Sequence, residues 1–251
     1  MSNNINYSDL DFESFKKLAL DPNLSVNEKV GFPNAYREGK EKVIFDDIKN
    51  KLKSLDNSGS LVLEIGPGCS QLPLLLIEHC EINQQNLIFI DSKEMLDFLP
   101  EKNNITKYIG KFPLDDQFLL TYKERIKTII VYSVIQYELI NGNIFNFLDS
   151  ALSLLEVGGE LLIGDIPNAT MRKRFFTSPT GIAFHKDFVG NEVTPVPDID
   201  FNKLEPGKMD DSIVLALLSR ARSQGYHAWI LPQAPNLPMS NRREDILIKR
   251  P

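Results

Sequence analysis

Long apolar runs, cysteine and histidine are all scarce in this sequence of 251 residues. Its longest apolar runs, Leu72 to Ile77 and Ile129 to Ile135, fall far short of the roughly 18 residues that cross a bilayer, so we expect no membrane-spanning segment. The two cysteines, Cys69 and Cys80, cannot form a disulfide framework, and the start of the chain lacks the basic and apolar regions of a secretory signal. These absences favour a cytoplasmic protein.

The net charge of the chain disfavours two classes of binding partner. The chain carries 28 Lys and Arg side chains against 34 Asp and Glu, a net charge of −6, which disfavours nucleic acid and acidic membrane surfaces. No set of His, Cys and carboxylate residues has the spacing of a metal site, so no metal is expected. The hydrophobic share of 42% is that of a globular protein, and the length suits one elaborated α/β domain.

Short apolar runs alternate with helical patterns in the middle of the chain. Four runs have the length and near-continuous hydrophobicity of buried parallel strands: Leu61 to Ile65, Leu87 to Ile90, Thr128 to Tyr132 and Glu160 to Ile163. The helical patterns between them are Gln71 to Cys80, Lys93 to Leu99 and Asn143 to Leu155, the last stopped by Gly158 and Gly159. This alternation predicts a doubly wound α/β sheet.

The two flanks differ from this middle part. Before it, Tyr36 to Leu55 has the periodicity of an amphipathic helix, and we assign residues 1–58 to an N-terminal helical cap. After it, residues 168–209 are rich in proline and show little periodicity, which indicates an insertion over the sheet.

The end of the chain predicts one more helix and two more strands. The helix is Asp210 to Gln224, and the strands are His227 to Leu231 and Asp245 to Lys249. Because the connection from Pro232 to Glu244 is too short for a crossover helix with its turns, the two strands should be antiparallel neighbours.

A glycine turn follows the first strand. Gly66 and Gly68 let the backbone approach a ligand and leave amide groups near a helix N-terminus. The dinucleotide fingerprint requires a third glycine where this chain has Gln71, so a diphosphate ligand is disfavoured. Glu64, just before the turn, would repel a phosphate but attract a cationic group.

Asp91 stands at the carboxyl end of the second strand. In a doubly wound sheet ligands lie beyond these strand ends, and an acid there can accept both hydroxyl protons of a ribose. Glu64 and Asp91 together therefore predict a slot for a nucleoside that carries a positive group.

These residues resemble the class I S-adenosylmethionine-dependent methyltransferases over roughly residues 60 to 166. The glycine motif is matched by residues 64–68, the ribose acid by Asp91, the loop beside the adenine by residues 110–114, and the turn into the fifth strand by residues 155–161. The resemblance implies a Rossmann-like, doubly wound seven-stranded sheet with an antiparallel last strand, N-terminal helices and an insertion after the fifth strand. Residues 59–251 would form this domain.

The resemblance also implies S-adenosylmethionine as the cofactor and a set of residues that bind it. The set is Arg37, Glu64, Gly66, Pro67, Gly68, Asp91, Ser92, Lys111, Phe112, Tyr132 and Ser133. Two features depart from the family pattern: Pro67, Cys69 and Ser70 replace a more glycine-rich loop, and Lys111 stands where many members have an acid. The adenine contacts would then be apolar or made by the backbone, through Phe112.

Three residues are candidates for proton transfer or acceptor contact: Tyr137 after the fourth strand, Asp165 after the fifth, and His185 in the insertion. Each has an ordinary alternative, as a core residue, a helix cap or a loop histidine. Two basic stretches, at residues 171–176 and 241–244, could bind an anionic group of the acceptor or simply be solvated.

The sequence thus predicts an S-adenosylmethionine-dependent methyltransferase that acts on O or N of a small polar acceptor, such as an anionic metabolite of the sugar or natural-product type. A homodimer stays open. Two alternatives remain at this point: a regulatory protein that binds the cofactor without turnover, which Lys111 and the altered glycine loop favour, and an NAD-dependent dehydrogenase, which Gln71 disfavours.

Overall fold

Over residues 10–189 and 205–251, which the computed structural model describes, the chain folds around a seven-stranded sheet. The strands are β1 (Leu61–Ile65), β2 (Asn86–Asp91), β3 (Ile105–Ile109), β4 (Ile126–Tyr132), β5 (Leu155–Pro167), β6 (His227–Pro232) and β7 (Arg243–Lys249). Their order is β3-β2-β1-β4-β5-β7-β6, and β7 runs antiparallel to both of its neighbours. The predicted doubly wound sheet with an antiparallel last strand is confirmed.

Helices cover both faces of the sheet. They are α1 (Phe12–Leu20), α2 (Val26–Lys29), α3 (Asn34–Arg37), α4 (Glu41–Lys51), α5 (Gln71–Ile82), α6 (Lys93–Leu96), α7 (Asp116–Tyr122), α8 (Ile135–Asn141), α9 (Ile144–Leu154), α10 (Ala169–Thr177), α11 (Pro179–Val189) and α12 (Asp211–Ser223). Strand side chains alternate between two cores: Leu63 and Ile65 pack under α9 and α12, whereas Val62 packs under α4 and α5. No helix in the described ranges is long and apolar enough to cross a membrane.

The structure corrects several predicted boundaries. Helix α9 stops at Leu154, and Gly158 and Gly159 lie inside β5 rather than ending the helix. A methyl group on Gly159 would lie 2.9 Å from the carbonyl oxygen of Glu156, so this glycine allows a tight strand irregularity. Helix α6 is only four residues long, and the sequence reading missed β3, an edge strand whose mixed polar pattern lacks the continuous hydrophobicity of a buried strand.

The predicted helix from Tyr36 to Leu55 is broken into α3, α4 and a 3-10 helix, Lys53–Asp56. Gly39 sits between α3 and α4 with a φ of 72°, a conformation that ends α3. Ile44, Ile48 and Leu52 are buried in the same core as β1 and β2. The domain boundary at residue 58 stays a prediction, but the hydrophobic core extends across it.

The insertion is more regular than predicted, because its described part contains α10 and α11. Residues 190–204 of the predicted insertion lie outside the described residues. Beyond it, the helix and the two antiparallel strands predicted at the end of the chain are confirmed within one or two residues, and the connection between β6 and β7 contains a short 3-10 helix, Ser240–Arg242.

Candidate cofactor and acceptor site

The glycine turn joins β1 to α5 in a conformation that few other residues adopt. Gly66 and Gly68 have φ values of 70° and 66°. A methyl group at Gly66 would lie 2.6 Å from Val134 Cγ2, and one at Gly68 would lie 2.6 Å from Val30 Cγ1. The side chains of Val134 and Val30 therefore pack directly against the glycine turn. Helix α5 begins directly after its N-cap residue, Ser70.

Asp91 is tied to this turn. Its Oδ2 accepts a hydrogen bond from the Gly68 amide at 3.0 Å, and its Oδ1 accepts one from the Ser92 amide at 2.7 Å. Burial raises the pKa of Asp91 to about 6, although these two backbone hydrogen bonds lower it. Ser92 is buried and caps α6 by accepting from the Met95 amide at 3.3 Å. Ser92 thus orients Asp91 without lining a cavity.

A cavity lies at the carboxyl ends of β1, β2 and β4. With its mouth it encloses about 1100 Å³, enough for a nucleoside-sized ligand. Most of the predicted site residues line it: Arg37, Gly66, Pro67, Gly68, Asp91, Lys111, Phe112, Tyr132, Ser133 and Tyr137. Glu64, Ser92, Asp165 and His185 are not among the described residues that line it.

The N-terminal segment forms one wall of this cavity, which sequence reasoning missed. Phe12 and Phe15 of α1 contribute aromatic rings, and Asn27 and Phe32 follow from the region of α2. Within the described part of the chain, two buried polar atoms in this wall have no hydrogen-bond partner, Oδ1 of Asn27 and Nε of Arg37. Buried polar atoms are costly when unpaired, so both fit a bound polar ligand.

Arg37 is held by a buried ionic cluster. One terminal nitrogen of its guanidinium donates to Asp165 Oδ2 at 2.6 Å and to Ser133 Oγ at 2.9 Å. Arg243 approaches the same Asp165 oxygen at 2.7 Å. The guanidinium carbon of Arg37 lies 3.9 Å from the centre of the Phe32 ring, a cation–π contact. The cluster fixes Arg37 in the cavity wall, where the resemblance predicted a cofactor-binding residue.

Ser133 and Asp165 both adopt left-handed backbone conformations, with φ values of 61° and 59°. Such residues are uncommon outside glycine and concentrate at functional sites. Burial opposes ionisation of Asp165, but Arg243 and Arg37 outweigh it, and the pKa of this carboxyl lies below its usual value. A carboxylate neutralised by two arginines is a weak proton acceptor, so the geometry gives the predicted catalytic role of Asp165 no support.

Glu64 is buried beneath the glycine turn, and its Oε2 has no partner in the described residues. Burial raises the pKa of Glu64 to about 8, and nearby Asp91 raises it further. The two acids are therefore close enough to interact, but only Asp91 lines the cavity. The role of Glu64 toward a cationic group stays a prediction.

The raised pKa of Glu64 has a consequence for stability. Between about pH 5 and pH 8 the folded protein holds a proton that the unfolded chain releases, so the unfolding free energy falls as the pH rises. We expect Glu64→Gln to remove this dependence and to exceed the wild type in unfolding free energy at pH 8 by about 1–3 kcal/mol. Urea titrations at pH 5 and pH 8 check this, with Glu78→Gln, an exposed position, as the control. Parallel pH profiles of the wild type and the Glu64 variant would contradict it.

Phe112 and Lys111 line another part of the cavity wall. Phe112 is buried and packs edge-on against Phe147, with ring centres 5.0 Å apart. Lys111 Nζ lies 3.1 Å from Glu138 Oε1 and donates to the carbonyl of Asn141 at 3.0 Å. Lys111 is thus occupied by a local carboxylate, and Phe112 provides the flat apolar wall that the sequence predicted beside an adenine.

A second cavity adjoins the first. Phe32 and Tyr137 line both, and the second encloses about 1570 Å³ with its mouth. Its other walls come from α10, from the segment after residue 204 and from the connection between β6 and β7. His185 is not among the described residues that line it; its ring packs edge-on against Phe176 at 5.9 Å. Burial raises the pKa of Tyr137, which makes its hydroxyl a poor base at neutral pH.

The fold of this chain is similar to that of known methyltransferases. No family model and no curated protein sequence matches the chain. Among solved structures, the N-methyltransferase NodS from Bradyrhizobium japonicum, in complex with S-adenosyl-L-homocysteine, is 14% identical; the match covers 97% of this chain and 100% of that one, with a TM-score of 0.58. The plantazolicin methyltransferase BpumL is also 14% identical over 96% of both chains, with a TM-score of 0.58.

A third similar structure is a SAM-dependent methyltransferase from Aquifex aeolicus, 15% identical over 96% of this chain and 99% of that chain, with a TM-score of 0.51. At these identities the similarity concerns the fold. The chain has the class I fold of S-adenosylmethionine-dependent methyltransferases, which the resemblance of its glycine motif predicted.

Proposed function

We propose that this protein transfers a methyl group from S-adenosylmethionine to a nitrogen or oxygen of a small polar, anionic metabolite. The observation that carries the proposal is the pair of adjoining cavities at the carboxyl ends of the strands, which share Phe32 and Tyr137. One cavity presents Asp91 and the glycine turn, and the other opens beside it. A donor and an acceptor held in such neighbouring sites can react by proximity alone.

The residues of the first cavity fit the cofactor. Asp91 would accept hydrogen bonds from the ribose hydroxyls, Phe112 would pack on the adenine, and the Arg37 guanidinium would bind the carboxylate. When bound, S-adenosylmethionine supplies a methyl group already activated on a sulfonium. Because its positive charge disappears as the methyl group moves, strong anions beside the sulfur would slow the step, and the carboxylates are better placed at the ribose and amino group.

The described residues on the acceptor side offer little general base catalysis. Of the described residues that line the second cavity, Glu205 is the one carboxylate, and it lies 3.0 Å from Lys173 Nζ. None of the three histidines lines either cavity in the described ranges. We propose that the acceptor atom is one that attacks without a protein base, such as a neutral amine or an acidic hydroxyl.

The sequence and the structure make different predictions for a substitution of His185. The sequence predicts that His185→Ala lowers turnover, whereas the position of the ring beside Phe176 predicts turnover within about twofold of the wild type, since a positioned base contributes typically 10²-fold or more. Methyl-transfer rates of the two proteins at pH 7 decide between them. His227→Ala, a substitution at an exposed histidine of β6, serves as the control.

The proposed function is tested in two steps. Isothermal titration with S-adenosylmethionine, and with NAD for comparison, reports which cofactor binds. Incubation with labelled S-adenosylmethionine and fractionated small metabolites then reports transfer. Binding of S-adenosylmethionine followed by transfer to a small anionic metabolite supports the proposal. Binding without transfer to any fraction would favour a regulatory protein, and tighter binding of NAD would favour a dehydrogenase.

A further inference from the structure

We infer that the second cavity contains an oxyanion-binding subsite formed by Arg172 and Arg242, which binds a carboxylate or phosphate group on the acceptor. The inference rests on the proposed function, because it treats this cavity as the acceptor site. Arg172 comes from α10 and Arg242 from the 3-10 helix between β6 and β7. Both line the cavity.

The two guanidinium groups converge on one buried ring. The guanidinium carbon of Arg172 lies 5.5 Å from the centre of Phe176, and that of Arg242 lies 5.6 Å from it. Stacking on an aromatic ring holds a guanidinium in place while leaving its N–H groups free to donate. Two arginines on a shared support can therefore present a fork of donors to a single anion.

Neither arginine is neutralised by a carboxylate in the described part of the chain. The side chain of Arg242 makes one hydrogen bond, to Asn241 Oδ1 at 3.0 Å, and Arg172 forms no ion pair there. Their neighbours behave differently: Arg174 on the same helix pairs with Asp211, and Arg243 pairs with Asp165. The arginines of the two basic stretches are therefore of two kinds. Arg174 and Arg243 form ion pairs within the protein, whereas Arg172 and Arg242 line the cavity without a paired carboxylate in the described residues.

Local electrostatics favour an anion here although the whole chain carries −6. Of the described residues that line the cavity, four are cationic, namely Arg172, Lys208, Arg242 and Arg243, the last paired with Asp165, and one is a carboxylate, Glu205, which pairs with Lys173. Burial lowers the pKa of Arg242, and Arg243 and Arg172 lower it further while Tyr36 opposes them. Like charges this close destabilise one another, and an anion bound between them would remove that cost.

The other residues that line the cavity indicate the chemistry of the rest of the acceptor. Pro33, Ile140, Met209 and Met239 contribute apolar surface to the same cavity. The acceptor would therefore have an oxyanion at one end, an apolar middle and its methyl-accepting atom near Tyr137. Phosphate and carboxylate share the donor geometry, so the test must compare both.

The probes are benzoate, phenyl phosphate and the neutral isostere benzamide, titrated separately into the wild-type protein with binding followed by NMR chemical shifts. We expect at least one anion to bind and benzamide to bind at least tenfold more weakly. The double variant Arg172→Gln/Arg242→Gln should lose at least tenfold in affinity for that anion. Arg174→Gln, the control on the same helix, should leave anion affinity unchanged. Whichever anion binds more tightly identifies the group as carboxylate or phosphate.

Three results would overturn the subsite: no anion binding to the wild type, equal binding of benzamide, or unchanged anion affinity in the double variant. If the double variant does not fold, the single change at exposed Arg172 carries the test with a smaller expected loss, about threefold. The result is independent of cofactor binding. Anion binding without S-adenosylmethionine binding would contradict the proposed function alone, and the reverse would contradict the subsite alone.

Discussion

Replacing Asp91 by alanine should weaken S-adenosylmethionine binding by about 10- to 100-fold, the effect of losing one or two hydrogen bonds to a charged group. The carboxylate faces the cavity and also holds the glycine turn through the Gly68 amide. Its removal would therefore cost both the proposed ribose contact and the fixed position of the turn. Isothermal titration of the wild type and the variant at pH 7.5 measures the difference.

The pH dependence of cofactor affinity is a second test of the role of Asp91. Because burial raises the pKa of Asp91 to about 6, the carboxyl takes up a proton as the pH falls through that value, and a protonated acid accepts hydrogen bonds less well. Cofactor affinity of the wild type should fall below about pH 6. Asp91→Asn should bind weakly at every pH and show no such decline.

Asp97→Ala is the matched control, since Asp97 is exposed six residues along the chain and pairs with Lys93. Its affinity should equal that of the wild type. An Asp91→Ala protein that binds S-adenosylmethionine as tightly as the Asp97 variant would remove Asp91 from the cofactor site, and with it the main support for the proposed arrangement.

The sequence was informative wherever one local rule dominated. β1, β2 and β4 are buried on both faces, so their hydrophobicity is continuous and their positions were predictable to within two residues. The turn at Gly66 to Gly68 needs glycine because both residues have positive φ. Since strand ends meet at one edge of a parallel sheet, these features already placed Asp91 and Tyr132 near a common cavity.

The sequence was uninformative wherever distant segments meet. Nothing in the pattern around Phe12, Phe15 and Asn27 shows that this segment covers the cavity, since that depends on tertiary packing. Asp165 was predicted to follow the fifth strand but lies inside β5, two residues before its end, and its partners Arg37 and Arg243 come from opposite ends of the chain. Pattern alone could not distinguish a base from the centre of an ionic cluster, and it could not show that His185 packs on Phe176.

The centre of that cluster is also the position where a single substitution should cost most stability. Asp165→Asn should lower the unfolding free energy by about 3–5 kcal/mol, because Arg37 and Arg243 would face each other across a buried site without a counter-charge. Asparagine nearly keeps the shape of aspartate and tolerates a φ of 59°. The loss would therefore report the charge rather than backbone strain.

A second layer of contacts strengthens this expectation. The backbone amide of Asp165 donates to Asp245 Oδ1 at 2.8 Å, and Asp245 Oδ2 accepts from Lys51 at 2.6 Å. Gln233 donates to Oδ1 of both aspartates, at 3.3 and 3.2 Å. Movement of residue 165 would disturb these partners as well, since buried charges in one network depend on one another.

Urea unfolding of the wild type, Asp165→Asn and Asp149→Asn measures the effect. Asp149 pairs with Arg220 at the surface, where both side chains are at least one-third exposed, so its loss should cost no more than about 1 kcal/mol. Because the pKa of Asp165 lies below its usual value, the stability it contributes is present above about pH 4 and is lost as the pH falls further. The wild type and Asp165→Asn should therefore converge in acid. Equal losses for the two variants at pH 7 would show that the Asp165 cluster is no stronger than a surface ion pair.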